Sequence, residues 1–199
     1  MQLFLVTSEH QQIRESEVVN ELFRNGLEKL HIRKPLASED DLKILVSAID
    51  SDFYSRISIH SHHHLANEFG LGGIHYTEKD RANLNSANLF AKGNISISTS
   101  LHTLAEIEDV HGFDYYFFSP VFKSITKDNY LPRFSVEEIK KSLGKTSKQL
   151  IALGGIDTNT IEKLQGINFI GAAVLGAIWN SSNPVKSFIE LKKIADTIH

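Results

Sequence analysis

Between Asp114 and Lys127 the chain reads DYYFFSPVFKSITK. Four consecutive aromatic residues, Tyr115 to Phe118, give way at Ser119-Pro120 to a loop bearing Lys123, Ser124, Thr126 and Lys127. Two hydroxyls and two ammonium groups suit an anion such as a phosphate, since the hydroxyls bond its oxygens and the cations balance its charge. Other chemically able groups also follow short apolar runs. LHIRKP offers His31, Arg33 and Lys34 before Pro35, and the next run ends in His60, Ser61 and His62 to His64. GGIHYTEKD offers His75, Glu78 and Asp80, and STSLH offers Ser98, Ser100 and His102. The segments ALGGI and GAAVLGAI bring Gly154 and Gly155, then Leu175 and Gly176, where backbone can approach a ligand closely. Among these, His102 suits proton transfer near neutral pH, because an unperturbed imidazole titrates at about 6.5.

Scattered over the chain, these groups meet only if the elements carrying them converge. Strands are expected at Gln2 to Val6, Lys29 to Arg33, Arg56 to His60, Gly73 to Tyr76, Asn94 to Ser98, Asp114 to Ser119, Gln149 to Leu153 and Asn168 to Leu175. Helical patterns lie between them, at Ser16 to Arg24, Asp40 to Asp50, His62 to Phe69, Leu84 to Lys92, Thr103 to His111, Val136 to Leu143, Asn159 to Leu164 and Val185 to Ile198. Ser135 with Glu138 reads as a helix start. Strict alternation with near-continuous apolar strands implies a parallel sheet buried on both faces. Eight such units favour an α/β architecture closed as a single (β/α)8 TIM barrel, one domain over residues 1–199. At 199 residues the chain is short of the roughly 250 typical of such barrels, so its loops must be lean. In this architecture every cluster above sits at the carboxyl end of a strand, on one shared mouth. The loops after strands seven and eight, with the start of a short helix, are the recurring phosphate site.

A formal net charge of −3 gives no reason to expect nucleic acid or an anionic membrane as partner. With no cysteine, disulfides, thiolate catalysis and thiolate metal sites are excluded. The opening MQLFLV is too short and too little flanked by basic charge for a signal peptide, and no later stretch approaches a membrane span, so a cytoplasmic protein is expected.

The order and spacing of LHIRKP, GGIHYTEKD, STSLHTLAE, DYYFFSPVFKSITK, ALGGI and GAAVLGAI resemble the thiamine phosphate synthase and TenI-like superfamily, over essentially all of Gln2 to Trp179. The resemblance implies a barrel in thiamin biosynthesis that binds a small phosphorylated thiazole. Its synthases join that thiazole to hydroxymethylpyrimidine diphosphate with release of diphosphate and use Mg²⁺. Its TenI-like members isomerise a thiazole phosphate carboxylate without metal. The resemblance puts Ser124 and Thr126 at the thiazole phosphate and Gly155 and Gly176 in its backbone cradle. It puts Arg33, Ser100 and Lys127 at the diphosphate, Asp80 at Mg²⁺ and His102 in the tautomerase site.

Two departures bear on the reaction. The family's Gln-x-Arg-x-Lys stands here as His31-Ile32-Arg33-Lys34-Pro35, losing the second cation although Lys34 is adjacent, and its Asn-Asp after strand three stands as His60-Ser61, losing a metal carboxylate. Departure of a diphosphate depends on cations placed to take up its charge, and a serine hydroxyl replaces no carboxylate. His60 and His62 to His64, with His75, invite a zinc or iron reading, but consecutive helical residues point apart and at most two of them share one ion. Glu78 and Glu106 are expected to be solvated. The expected site is therefore His102, Arg33 and Lys127 as catalytic groups, His31, His60, His75, Ser100, Ser124, Thr126, Gly154, Gly155, Leu175 and Gly176 around the substrate, and Asp80 for a metal. A thiazole tautomerase without cofactor is the preferred expectation, with an Mg²⁺-dependent synthase as the alternative and a non-catalytic thiazole-phosphate binder as the third. Self-association as a homo-oligomer stays open.

Overall fold

A computed structural model describes residues 1–84, 95–123 and 132–198. Eight parallel strands close into a barrel in chain order. They are β1 Gln2–Val6, β2 Lys29–Ile32, β3 Ile57–Ile59, β4 Gly73–Tyr76, β5 Ser96–Leu101, β6 Tyr115–Phe118, β7 Leu150–Leu153 and β8 Phe169–Val174. Each pairs with the next, and β8 returns to β1 with Leu3 opposite Ala172. The expected TIM barrel is thus observed.

Alternation along the strands divides the core in two, because successive side chains point to opposite faces. Leu3, Leu5, Leu30, Ile32, Ile57 and Ile59 join the larger cluster with Val19, Leu22 and Phe23 of α1 (Glu15–Arg24). Phe4, Val6, Tyr115, Phe117, Ile151 and Ala173 fill the barrel interior as a separate cluster. The β2-to-β5 side of that interior is polar, with His31, Ser58, His75 and Ser98 all buried. Buried polar groups need partners, so this half of the barrel has to be a hydrogen-bonded network.

Outside the strands lie α2 (Glu39–Ser47), α3 (His64–Phe69), α4 (Glu78–Ala82), α5 (Leu104–Asp109), α6 (Val136–Leu143), α7 (Gly176–Trp179) and α8 (Pro184–Ala195), with 3₁₀ turns at Ser51–Arg56 and Ile161–Leu164. Capping boxes open α2, α5 and α6, the last by the expected pair Ser135 and Glu138. Several boundaries differ from expectation. β5 runs to Leu101 instead of stopping at Ser98, so Ser100 lies in the ladder opposite Phe117. The helix expected from His62 starts at His64, because His62 takes a left-handed conformation at φ 49°. The stretch expected over Asn159 to Leu164 is a 3₁₀ turn, and that over Leu84 to Lys92 falls almost wholly outside the described residues. Among the described residues no helix is long and apolar enough to cross a membrane.

Candidate active site

At the carboxyl ends of the strands opens a cavity of about 730 Å³. Of the residues expected there, it is lined by Arg33, His60, His75, Ser100, His102, Gly154, Gly155, Leu175 and Gly176. His31 lies one layer deeper, fully buried. Ser124, Thr126 and Lys127 fall outside the described residues. Asp80 does not line the cavity: it is exposed, and its carboxylate accepts a hydrogen bond from Thr77 Oγ1 at 2.6 Å at the start of α4.

Arg33 and Lys34 are neighbours with opposite fates. The Arg33 backbone is held on both sides by buried Thr7, whose hydroxyl accepts from Arg33 N at 2.8 Å and donates to Arg33 O at 3.1 Å. Its guanidinium faces the cavity and pairs with Glu9, which lines the same wall. Lys34 turns inward instead, with its ammonium 2.7 Å from Glu15 and donating to His10 O at 2.8 Å, and both members of the pair are buried. Adjacency in sequence therefore does not restore the missing second cation: the structure commits Lys34 to α1.

His102 is fixed by its surroundings. Its Nδ1 lies 2.9 Å from Ser119 O, which can only accept, so Nδ1 carries the proton and Nε2 is the basic nitrogen. Its backbone N–H donates to Glu106 Oε2 at 2.8 Å. Glu106 in turn accepts from Arg81 at 2.5 Å, and Arg81 donates to Ser100 O at 2.6 Å. Contrary to expectation, Glu106 is not solvated. It is a junction tying α4 to the segment after β5, and against the opposing effect of burial the bonds to His102 and Arg81 hold its carboxyl below the usual range. Neither Arg81 nor Glu106 was legible as a site residue; the capping box of Thr103 with Glu106 is a finding of the structure.

The histidines meet in a different set from the sequence run. His31 Nδ1 lies 3.0 Å from His60 Nε2, and the His60 and His75 rings stack with centroids 4.1 Å apart. His62 and His64 point outward, beside Glu39. Tyr115 hydroxyl meets His31 Nε2 at 2.9 Å and Ser58 at 3.2 Å, and His75 contacts Ser98 at 2.9 Å and Ser100 at 3.2 Å. Burial pushes His31 and His60 well below the usual imidazole value and His75 down to about 3, with neighbouring positive groups adding to it. At neutral pH the trio is uncharged.

Gly154 and Gly155 have φ of 96° and 67°, accessible to glycine at little cost. They also admit the chain after β6, since a Cβ at Gly155 would stand 2.3 Å from Lys123 O. Val121 N and Phe122 N bond Leu153 O and Gly154 O at 3.0 Å, joining the two loops. The Mg²⁺ pair implied by the resemblance does not fit: Asp80 is engaged at its own helix start and Ser61 supplies no carboxylate.

A family model described as thiamine monophosphate synthase, TMP-TENI, matches residues 3–178. A thiamine-phosphate synthase of Leuconostoc citreum is 22% identical over 182 residues, covering 87% of this chain and 85% of that protein. A crystal structure of thiamine phosphate pyrophosphorylase from Bacteroides thetaiotaomicron superposes with a TM-score of 0.84 at 28% identity, over 100% of both chains. One from Pyrococcus furiosus does so at 0.81 and 20% identity, over 98% of this chain and 96% of that one, a likeness of fold.

Proposed function

The chain belongs to the thiamine monophosphate synthase (TMP-TENI) family of thiamine biosynthesis, and from that premise we propose that it binds a phosphorylated thiazole at the barrel mouth and isomerises it by proton transfer. The observation that carries this reading is His102, with Nδ1–H held by the Ser119 carbonyl and Nε2 left as the base on the cavity wall. Nε2 takes a proton from the non-aromatic thiazole and the resulting imidazolium returns it at the position that completes the aromatic ring. No atom is gained or lost, and no metal is called for. Arg33 offers its guanidinium to the substrate's anionic group, and backbone N–H groups around Gly155 and Gly176 receive the phosphate. The resemblance assigns Ser124 and Thr126 to the same phosphate and Lys127 to a second anion, and all three lie outside the described residues.

Support for the second reading, thiamine phosphate synthase, comes from the names of the relatives, which are synthases and pyrophosphorylases. Against it stand Ser61 in place of a carboxylate and Lys34 buried against Glu15. Two assays on the same preparation separate the readings. Aromatisation of the thiazole phosphate carboxylate is expected, falling about 10²–10⁴-fold in His102→Gln, the usual contribution of a positioned acid/base. Mg²⁺-dependent formation of thiamine phosphate from both synthase substrates at a rate exceeding aromatisation would replace the proposal with the second reading. Thiazole phosphate binding with no turnover in either assay would leave a binder.

A further inference from the structure

We propose that His31, His60 and His75 form a binding site for one divalent transition-metal ion of the zinc class, with an open coordination position toward the cavity. One ring nitrogen from each residue lies within 4.8 Å of the others. An ion at about 2.0–2.1 Å from three imidazoles brings their nitrogens to roughly 3.3 Å of one another, and His31 Nδ1 and His60 Nε2 are already 3.0 Å apart. An all-imidazole donor set selects zinc, cobalt, nickel or copper over magnesium, which prefers oxygen. The donor set is thus distinct in chemistry from that of the Mg²⁺ site the resemblance implies.

Two of the three histidines have outer contacts that suit a metal centre, and the His60 and His75 rings, now stacked 4.1 Å apart, turn toward the ion on binding. A ligating histidine commonly donates its remote N–H to a fixed acceptor, which sets the tautomer. His31 Nε2 meets the Tyr115 hydroxyl at 2.9 Å and His75 Nδ1 meets Ser98 at 2.9 Å. The ion would take His31 Nδ1 and His60 Nε2, which now face each other at 3.0 Å, and His75 Nε2, which now faces Ser100 at 3.2 Å, displacing both contacts. Tyr115 is itself secured to Ser58 at 3.2 Å. Burial keeps all three imidazoles neutral, the form that ligates. His60 and His75 line the cavity while His31 lies beneath, so a fourth ligand, water or a substrate atom, enters from the cavity side. The inference does not rest on the tautomerase reading.

The test uses the full chain, stripped with chelator and titrated with Co²⁺ and then Zn²⁺. One Co²⁺ per chain is expected, with the strong visible bands of a four-coordinate nitrogen site, bleached by Zn²⁺. His60→Gln and His75→Gln should abolish the bands, and Tyr115→Phe should weaken binding about 10–100-fold. Glu39→Gln with His64→Gln, which removes the more exposed Glu39, His64 and Glu68 group, should leave them unchanged. No binding at millimolar Co²⁺ overturns the proposal, as does binding that survives His60→Gln or disappears with the Glu39 and His64 changes. If the histidine variants fail to fold, X-ray absorption of the wild-type complex decides: three imidazole scatterers support the site, and fewer sink it.

Discussion

Replacing Lys34 by Met tests whether this lysine serves the core or the mouth. Its ammonium and the Glu15 carboxylate are 2.7 Å apart with side chains 7% and 4% exposed, and the other Glu15 oxygen, Oε1, is buried without a partner. Removing the lysine strands a carboxylate at the start of α1, a loss that for buried pairs costs about 3–5 kcal/mol. Domains of this kind have on the order of 5–15 kcal/mol in total, so Lys34→Met should leave a marginal protein. With a urea dependence of about 2 kcal/mol per molar, the unfolding midpoint should fall by roughly 2 M. Glu15→Leu with Lys34→Met removes both charges and should return the midpoint to the wild-type value or above it. The double variant should also keep wild-type kcat/KM, since Lys34 is not expected to touch the substrate. Two results would refute the reasoning: a Lys34→Met midpoint within 0.5 M of wild type, or a folded double variant with catalysis reduced tenfold or more.

Acid should destabilise the metal-free protein well above the carboxylate range. His75 titrates at about 3 when folded and near 6.5 when unfolded, so its contribution is complete above pH 6.5 and is lost as pH falls toward 3, about 2 kcal/mol of it between pH 7 and pH 5. Buried His31 and His60 act in the same direction; urea titrations at pH 7 and 5 in chelator read the sum, and equal stabilities would contradict the burial of the trio. Gly155→Ala, which forces a Cβ against Lys123 O at φ 67°, should lower stability by about 1–3 kcal/mol and weaken thiazole phosphate binding with it; unchanged affinity would place the phosphate elsewhere. Glu106→Gln keeps the shape but loses the charge that Arg81 and the His102 N–H share. It should lower kcat about tenfold with little change in KM and a shifted acidic limb of the pH profile, whereas an unaltered profile would make Glu106 purely structural.

The barrel was legible because its evidence is local and repeated: each strand is a short apolar run followed by polar residues, and eight repeats leave little choice of closure. The mouth was legible for the same reason, since position at a strand end is a one-dimensional property, and Arg33, Ser100 and His102 all lie on the cavity. What failed was orientation and pairing. Nothing in HIRKP tells that Lys34 finds Glu15 nineteen residues away in sequence, or that Asp80 stays at its own helix start. The histidine run at His62 to His64 drew attention by composition, yet the set that meets comes from β2, β4 and the end of β3, a register property that period-two spacing within one strand cannot show. Arg81 and Glu106 escaped because their role lies in a bond between two helices, α4 and α5, the two residues being 25 apart in sequence.

The pairing of Arg33 with Glu9 has a consequence for selectivity. Thr7 pins the Arg33 backbone, and the guanidinium is already paired with an internal carboxylate. Any incoming anion competes with a tethered rival held at high effective concentration. A monoanion merely exchanges one carboxylate-like partner for another, while a group of higher charge density wins the exchange. On the proposed reading, Glu9 thereby sets a threshold on which anions Arg33 accepts.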